Sequence, residues 1–426
     1  MKYKKYLKFK DSEVDWLGEI PSAWEARRLG FYFTERREKV SDKDFNALSV
    51  TKNGIVPQLD NAAKTDDGDN RKKVCSGDFV INSRSDRKGS SGLSKLTGSV
   101  SLINTVIQPK NINGEFSHYL FRSYPFQEEF YRYGKGIVAD LWSTNYTSMK
   151  NITIPYPPIQ EQQQIAKFLD NATRKMDTLI QKQENLIKLL KEKRQAVISH
   201  AVTRGLNPDV KYKDSGVEWL GKVPEHWGVV SLKYVSKITL GKMLTSSDKG
   251  NMKFKPYLKA KNLRWMKVDV SNVDSMWFSD NEIISFRLKK DDLLVSEGGE
   301  VGRACIWDNE LDECYIQNSV NRVQFINHYP KFFLYQFFSA AHYGYFDSIV
   351  NKISIAHLTK EKLGDAKFVS IPLMEQQRIA TYLDDKTQKI DTLIKKATKS
   401  IKLLKEKRTA LISAAVTGKI DVREFE

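Results

Sequence analysis

The chain has 426 residues, carries a formal net charge of +17 and is 40% hydrophobic and 11% aromatic. This length exceeds one ordinary hydrophobic core and predicts two or more domains, and the hydrophobic content excludes a disordered chain. The excess of Lys and Arg favours a polyanionic partner such as nucleic acid, because these side chains displace counterions from phosphates.

The cysteines and the N-terminal residues indicate a compartment. Cys75, Cys305 and Cys314 form no CxxC pair, and no His stands at zinc-ligand spacing from Cys305 or Cys314. We therefore expect neither a disulfide framework nor a metal site. The basic start, MKYKKYLKFK, is followed by no apolar stretch, and no run approaches the ~20 apolar residues of a membrane helix. A soluble, cytoplasmic protein is predicted.

The first segment returns later in the chain. Lys8–Trp24 reads KFKDSEVDWLGEIPSAW, and Lys211–Trp227 reads KYKDSGVEWLGKVPEHW, with ten of 17 positions identical. A repeat of this kind points to two similarly built halves.

A first variable region, roughly 28–155, follows. β-Branched residues and alternation predict strands at Phe45–Ile55, Val74–Asn82 and Ser99–Ile107, and an aromatic-rich stretch, Phe116–Tyr133, predicts short helices. The polar loops between the strands contain Lys, Arg, Asn, Ser and Gly, which suit contacts with phosphates and base edges. The candidate DNA-binding residues here are Lys52, Asn53, Arg84, Arg87, Lys88 and Ser90.

A long helix is predicted next. Proline tolerates the first helical turn but not earlier helix, so the helix begins near Glu161, after Pro157-Pro158, and ends at Gly205. Apolar residues recur at steps of three and four, which is typical of a coiled coil. The predicted packing residues are Ile165, Leu169, Met176, Leu179, Leu186 and Leu190.

The second variable region, roughly 231–370, has no comparable identity to the first. Strands are predicted at Lys253–Leu258, Asp291–Ser296 and Tyr315–Phe325, and short helices at Pro330–Phe346. Its polar loops, Lys259–Arg264 and Asp291–Ala304, correspond to those of the first region. The candidate DNA-binding residues here are Lys242, Lys259, Lys261, Asn262, Arg264 and Arg303.

A second long helix repeats the first. Glu161–Thr203 and Glu375–Thr417 share 28 of 43 positions. Its predicted packing residues are Ile379, Leu383, Ile390, Leu393, Leu404 and Leu411. A helix of about 45 residues at 1.5 Å each is roughly 65 Å long, which exceeds one turn of B-DNA. If the two helices pair antiparallel, two unlike domains face DNA in inverted orientation, and the target is split and asymmetric.

Catalytic motifs are missing from the sequence. There is no GxGxxG after a strand and no GxxxxGK[ST] loop. Tyr156-Pro157-Pro158-Ile159 is superficially similar to the Asn-Pro-Pro-aromatic motif of adenine methyltransferases, but it lacks the leading Asn or Asp and opens a helix. The six histidines are scattered. We expect no catalytic centre.

The arrangement resembles the specificity subunits of Type I restriction–modification enzymes over essentially the whole chain. The resemblance is carried by WLGEIPSAW and WLGKVPEHW, by LSVTKNGIVPQ, and by PPIQEQQQIAKFLD and PLMEQQRIATYLD at the helix starts. It implies an α+β fold: two mixed α/β target-recognition domains, separated by two long antiparallel coiled-coil helices in a pseudo-two-fold tandem repeat. The implied segments are 1–156 (first recognition domain), 157–206 (first spacer helix), 207–371 (second recognition domain) and 372–426 (second spacer helix and tail).

The resemblance also implies partners and cofactors. Two modification subunits, which bind S-adenosylmethionine and flip out adenine, dock on the helices, and restriction subunits driven by ATP join them. S-adenosylmethionine, ATP and Mg are then expected on the partners and none on this chain. Two alternatives remain open at this point: a stand-alone sequence-specific DNA-binding regulator, and a coiled-coil scaffold whose basic charge is incidental.

Overall fold

The computed structural model describes residues 3–60, 68–136, 142–350 and 357–425. The chain divides into two compact units: unit 1 takes Met1–Glu184 and Thr398–Glu426, and unit 2 takes Asn185–Ala397. These bounds pass through both long constant segments, which the sequence pattern assigns to separate spacer helices. Each unit thus contains part of both. The domain boundaries given at residues 156, 206 and 371 stay a prediction.

Unit 1 is built from short strands and helices, the first part of one long helix and the last part of the other. Its strands are β1 (Phe9–Asp11), β2 (Glu19–Pro21), β3 (Glu25–Arg28), β4 (Phe33–Glu35), β5 (Lys39–Val40), β6 (Leu48–Thr51), β7 (Gly54–Pro57), β8 (Arg71–Val74), β9 (Phe79–Asn82), β10 (Ser91–Leu93), β11 (Gly98–Val100), β12 (Asn104–Pro109) and β13 (Thr153–Tyr156). Its helices are α1 (Gly114–Arg122), α2 (Tyr124–Arg132), α3 (Tyr146–Met149) and the start of α4 (Ile159–Arg204), with 3-10 turns at Leu29–Phe31 and Ser85–Arg87.

Unit 2 repeats this composition. Its strands are β14 (Tyr212–Asp214), β15 (Lys222–Pro224), β16 (Gly228–Ser231), β17 (Ser236–Leu240), β18 (Lys253–Leu258), β19 (Leu263–Arg264), β20 (Lys267–Val268), β21 (Asp274–Phe278), β22 (Leu293–Ser296), β23 (Ala304–Ile306), β24 (Tyr315–Ile316), β25 (Val320–Phe325) and β26 (Lys367–Ser370). Its helices are α5 (Asp280–Phe286), α6 (Pro330–His342), α7 (Tyr345–Ile349), α8 (Lys360–Asp365) and the start of α9 (Leu373–Val416), with 3-10 turns at Leu232–Tyr234 and Ala260–Asn262.

The two variable regions fold around sheets of the same strand order. A four-stranded antiparallel sheet runs β10-β9-β12-β4 in unit 1, and the corresponding sheet runs β23-β22-β25-β17 in unit 2. The strands β9 and β22 are buried along their whole length, as central strands of a covered sheet are. The mixed α+β class predicted from sequence is confirmed.

Several predicted strands contain a chain reversal. The strand predicted at Lys253–Leu258 is β18 with the same bounds. Phe45–Ile55 instead folds as the hairpin β6–β7, and Tyr315–Phe325 holds both β24 and β25. Val74–Asn82 likewise ends one strand and begins the next around Gly77, whose φ of 94° suits glycine.

Each long helix begins and ends where the prolines and glycines predict. α4 begins directly after Pro158 and α9 directly after Pro372. Gly205 and Gly418 follow the helix ends with φ of 76° and 73°. A Cβ at Gly205 would lie 3.1 Å from the ring of Trp227, and one at Gly418 only 2.3 Å from Pro21. The repeated Trp-Pro-Trp segment thus packs on the helix end within each unit.

The two long helices run antiparallel within each unit. In unit 1, Ile165 and Leu169 near the start of α4 share a core with Leu411 near the end of α9. In unit 2, Ile198 near the end of α4 shares a core with Ile379 near the start of α9. The predicted antiparallel pairing is confirmed.

The prediction that three leucines pack in the seam between the long helices is wrong. Leu179, Leu186 and Leu393 are 47%, 43% and 49% exposed. Leu404 is half-buried against the unit 1 core. The other predicted packing residues are buried, namely Ile165, Leu169, Met176, Leu190, Ile379, Leu383, Ile390 and Leu411.

The buried seam of α4 steps regularly by four and three residues. It includes Thr173 and Ile180 in unit 1 and Leu190 in unit 2, with the mostly covered side chain of Arg194 one step further on. The seam passes through Ile180 and the half-buried Ile187, each one residue after the leucine, Leu179 or Leu186, that the sequence pattern assigned to it. The helix period is as predicted, but the phase of the stripe is shifted over this stretch.

Buried polar residues of the repeated EQQ motif attach each variable region to its long helix. Gln162 accepts a hydrogen bond from the Asn113 amide at 2.8 Å and donates to the Pro157 carbonyl. Gln376 accepts from the Tyr329 amide and donates to the Ile371 carbonyl. Both glutamines are fully buried, so their identity in the two copies has a structural reason.

A second attachment of each variable region lies eight residues, or about two turns, further along its long helix. The Tyr119 hydroxyl donates to Asp170 in unit 1, and the Tyr335 hydroxyl donates to Asp384 in unit 2. These tyrosines are equivalent in the two units, so α1 and α6 can be aligned by matching Tyr119 with Tyr335.

Candidate nucleic-acid interface

The first candidate loop is the tip of the β6–β7 hairpin. Lys52 and Asn53 form its two-residue turn, and both side chains are exposed. The Asn53 amide donates to the Thr51 hydroxyl at 3.0 Å, and the Arg122 guanidinium on α1 donates to the Lys52 carbonyl. The backbone of the tip is therefore held, while the two polar side chains remain available to a ligand.

The second candidate loop of unit 1 joins β9 to β10. Arg84 and Arg87 are exposed, and Arg87 makes only a loose ion pair of 3.5 Å with Asp86. Lys88 pairs with Glu128. Ser90 is 7% exposed, so its burial does not fit the predicted direct contact with DNA.

The two loops of unit 1 meet at one place. Lys52 and Lys88 line the same cavity, together with Arg122 of α1. The hairpin tip and the β9–β10 loop therefore meet in one basic cavity, and Arg84 and Arg87 are exposed elsewhere on the β9–β10 loop.

In unit 2 the loop Lys259–Arg264 is also polar and partly exposed. Lys259 pairs with Asp274, and Lys261 lies 3.9 Å from the same carboxylate. A hydrogen bond from Lys259 holds the pKa of Asp274 below its usual range. Arg264 is 62% exposed and lies 3.7 Å from Asp269. Such surface pairs are weak, so a phosphate can replace the carboxylate partner.

Three predicted residues of unit 2 have their polar groups occupied by the fold. Asn262 is 3% exposed; it accepts from the Lys259 amide and donates to two backbone carbonyls. Arg303 donates to the Ala260 carbonyl at 2.9 Å and pairs with Glu300. Lys242 is 9% exposed and pairs with Glu282. Their burial does not fit direct base contact, because each is already committed to holding a loop.

Sequence reasoning missed two residues of α1 that line this cavity, His118 and Arg122. Both lie in the segment Phe116–Tyr133, which was predicted as short helices, and neither was among the candidate residues. Aligning Tyr119 with Tyr335 reveals the signal, because it pairs His118 with Leu334 and Arg122 with Phe338. Arg122 is charged where its counterpart Phe338 is apolar, which indicates that the shared fold does not fix the residue type at this position.

Nowhere in the described ranges do three or more His, Cys, Asp or Glu side chains lie close enough together to hold a metal ion. None of the helices in the described part of the chain combines the length and the apolar composition needed to cross a bilayer.

The sequence matches the profile of one protein family twice. The profile is described as the Type I restriction modification DNA specificity domain, and it matches residues 21–189 and 224–403. These two matches cover more than half of the chain and coincide with its internal repeat.

Individual relatives give the same result. A protein of Methanocaldococcus jannaschii assigned as the specificity subunit of the type I restriction enzyme MjaX is 24% identical, over 99% of both chains. The MjaVIII specificity subunit of the same organism is 27% identical, over 72% of this chain and 71% of its own.

Two solved structures share the fold. The HsdS subunit from Thermoanaerobacter tengcongensis superposes with a TM-score of 0.59 at 18% identity, over 94% of this chain and 98% of its own. A chain from a structure on complex assembly and conformational transition of the type I R-M system superposes with a TM-score of 0.72, again at 18% identity, over 93% of this chain and 98% of its own.

Proposed function

This chain belongs to the family of the Type I restriction modification DNA specificity domain, and on that premise we propose that it reads an asymmetric, bipartite DNA target, one half-site per variable region. The chain is the specificity subunit of a Type I restriction–modification system. Family membership favours this function over the stand-alone regulator and the coiled-coil scaffold.

One observation carries the proposal of a split target. The two variable regions have the same sheet order but unlike loops at corresponding places. Unit 1 exposes Arg84 and Arg87 in its β9–β10 loop, whereas the corresponding β22–β23 loop of unit 2 exposes Glu300. Equal scaffolds with different loops suit two readers of different sequences, since loops on a rigid frame carry specificity.

We further propose that two methyltransferase subunits dock on the long helices, one for each unit. Unit 1 exposes Leu179 and Leu403, and unit 2 exposes the repeat-equivalent residues Leu393 and Leu189. Exposed leucines on a helix favour a protein partner. Two copies of one surface suit two copies of one partner.

Catalysis in this proposal belongs to the partners. The methyltransferase subunits bring S-adenosylmethionine, and restriction subunits bring ATP and Mg, while this chain contributes no catalytic centre. The proposed location is the cytoplasm, where the free thiols Cys75, Cys305 and Cys314 stay reduced.

Exchange of a variable region tests the reading of half-sites. Residues 28–155 are replaced by the corresponding region of a relative with a different target, and the methylated motif is read by methylation-sensitive sequencing of host DNA. We expect one half of the motif to change and the other half to remain. Exchange of residues 231–370 is the matched control and should change the opposite half. An unchanged motif after both exchanges would contradict the proposal.

Substitution of the exposed leucines tests the docking surfaces. The pair Leu179→Glu and Leu403→Glu should reduce the methyltransferase subunits bound per chain from two to one, measured by native mass spectrometry. The pair Leu189→Glu and Leu393→Glu should do the same, and all four together should abolish binding. Gln181→Glu, exposed on α4, is the control. Full binding to the quadruple variant would refute this docking surface.

A further inference from the structure

Unit 1 contains a basic cavity of about 280 Å³ where its two candidate loops meet α1 and α9. Four of its lining side chains are cationic, namely Lys52, Lys88, Arg122 and Arg408, and none of its lining residues is acidic. Cations that converge in a cleft raise the potential inside it and attract anions.

His118 contributes a hydrogen-bond donor for which the described residues supply no acceptor. Its Nδ1 accepts from the Leu93 amide at 3.1 Å, so this nitrogen carries no proton. Burial lowers the pKa of His118 to about 3, so the ring is neutral at neutral pH and its proton lies on Nε2. Nε2 faces Nη1 of Arg122 at 3.1 Å. Both atoms carry hydrogen, so this contact holds two donors and needs an acceptor between or beside them.

The charge of Arg122 is not balanced by a carboxylate. Nη2 of Arg122 donates to the Lys52 carbonyl. Among the described residues, no Asp or Glu forms an ion pair with Arg122. Burial, followed by the positive charge of Arg408, lowers the pKa of Arg122. Two other cations of the cavity do have carboxylate partners, since Arg408 pairs with Asp177 and Lys88 with Glu128.

The corresponding place in unit 2 has a different composition. Phe338 stands where unit 1 has Arg122, and Leu334 stands where it has His118. The guanidinium of Arg194, the equivalent of Arg408, lies 5.3 Å from the centre of the Phe338 ring. The fold is therefore satisfied by an aromatic and an aliphatic side chain here, and the two donors of unit 1 are not required for packing.

We propose that this cavity of unit 1 binds one phosphate group. Arg122 and His118 donate hydrogen bonds to its oxygens, and the exposed Lys52 adds a positive charge beside them. One oxygen of a phosphate can accept from both Nη1 of Arg122 and Nε2 of His118, which removes the mismatch between the two donors. Arginine suits this role because its planar fork binds phosphate oxygens strongly. A backbone phosphate of DNA and free inorganic phosphate present the same chemistry.

Thermal unfolding of the full chain in phosphate tests the site. Wild type is compared in potassium phosphate and potassium chloride at equal ionic strength and pH. Phosphate also stabilises proteins non-specifically, so the decisive quantity is the difference from Arg122→Phe, which copies the unit 2 arrangement. Wild type should gain several degrees more than this variant, because a ligand stabilises only the state that binds it. Arg87→Gln, an exposed cation outside the cavity, should keep the full gain.

His118→Leu copies Leu334 and provides a second, independent variant if Arg122→Phe does not fold. It should lose the phosphate-specific gain as well. An equal gain in wild type and in a folded variant at either position overturns the proposal.

Duplex DNA distinguishes the two sources of phosphate, and this arm alone rests on the proposed function. Affinity of the assembled complex for its target is measured at several salt concentrations. If the ligand is a DNA phosphate, Arg122→Phe weakens binding and reduces the salt dependence by about one counterion. If DNA binding is unchanged while the phosphate gain is lost, the ligand is free phosphate. A wild-type complex that retains no DNA contradicts the proposed function, and the thermal measurement still decides the site.

Discussion

Arg194 of α4 donates a hydrogen bond from Nε to a carboxylate oxygen of Asp391 in α9, at 3.0 Å, and so joins the two helices within unit 2. The equivalent residues of the repeat, Arg408 and Asp177, form an ion pair of 3.1 Å within unit 1. Opposite charges at the same repeat positions favour the antiparallel register, because a parallel or shifted pairing would separate them.

Asp391→Asn should cost about 1 kcal/mol or less, since the carboxylate is half exposed and surface pairs are weak. Arg194→Met should cost more, because it also removes the contact with the Phe338 ring. A double-mutant cycle in urea measures both values and their coupling. Equal costs for the two single variants would show that the aromatic contact contributes nothing.

Leu186 and Leu190 are one helical turn apart, and a charge should destabilise the fold much more at Leu190 than at Leu186. Leu190 is 9% exposed and Leu186 43%. Leu190→Asp should destabilise unit 2 by more than the ~2–5 kcal/mol of a leucine truncation, because it also buries a carboxylate. Leu186→Asp should cost about 1 kcal/mol or less. Thermal unfolding of the two variants provides the comparison, and similar losses would mean that the seam is placed incorrectly.

Gln162→Leu should loosen α1 without affecting α6. The change leaves the Asn113 amide and the Pro157 carbonyl without partners, which costs about 1–3 kcal/mol for each group. Hydrogen exchange read by mass spectrometry should become faster in α1 and remain unchanged in α6.

Gln376→Leu is the matched variant of unit 2 and should give the reverse pattern. Gln163→Leu, at an exposed position, should change neither helix. Faster exchange in both α1 and α6 after a single substitution would contradict the separate attachment of each variable region.

His118 should make stability depend on pH. Its folded pKa of about 3 lies below the ~6.5 of an unfolded histidine. Between these values the unfolded chain holds a proton that the folded chain lacks, so stability falls as pH falls below about 6.5, by at most ~1.4 kcal/mol per pH unit. The contribution is fully present above pH 7.

The comparison with His118→Leu isolates this effect. The melting temperature of the variant should rise relative to that of wild type as pH falls from 7 to 5. Parallel pH curves for the two proteins would show that His118 is solvated or charged in the folded state.

Much of the fold follows from local patterns in the sequence. Pro158 and Gly205 bound α4 because their backbone restrictions act on neighbouring residues, and such effects are visible in sequence. The seam was predicted less well, since it includes Thr173 and Arg194, polar side chains that a search for hydrophobic residues passes over. Threonine at the seam donates to the carbonyl one turn before it, and arginine reaches an acid on the other helix. These partners become known only with the tertiary contacts.

The candidate interface was predicted by loop and residue type, and its contact with DNA stays a prediction. Arg84 and Arg264 are exposed, whereas Asn262 and Arg303 hold loops together. Sequence cannot separate these cases, because a polar side chain in a loop serves either the solvent side or its own backbone. Arg122 was missed because it lies in a helix and joins the hairpin tip through a contact 70 residues away.

The division of the chain has a consequence during synthesis. Unit 2 comes from one uninterrupted stretch, whereas unit 1 needs residues 1–184 and 398–426. At 5–20 residues per second, the ribosome takes about 10 to 40 seconds to deliver the roughly 210 residues between them. Throughout that interval Ile165 and Leu169 lack Leu411 and Ala415, their partners in the finished core. The first part of the nascent chain therefore exposes an apolar stripe until residues 398–426 are synthesised, and chaperones bind such stripes. Unit 2, although made later, can complete its fold before unit 1.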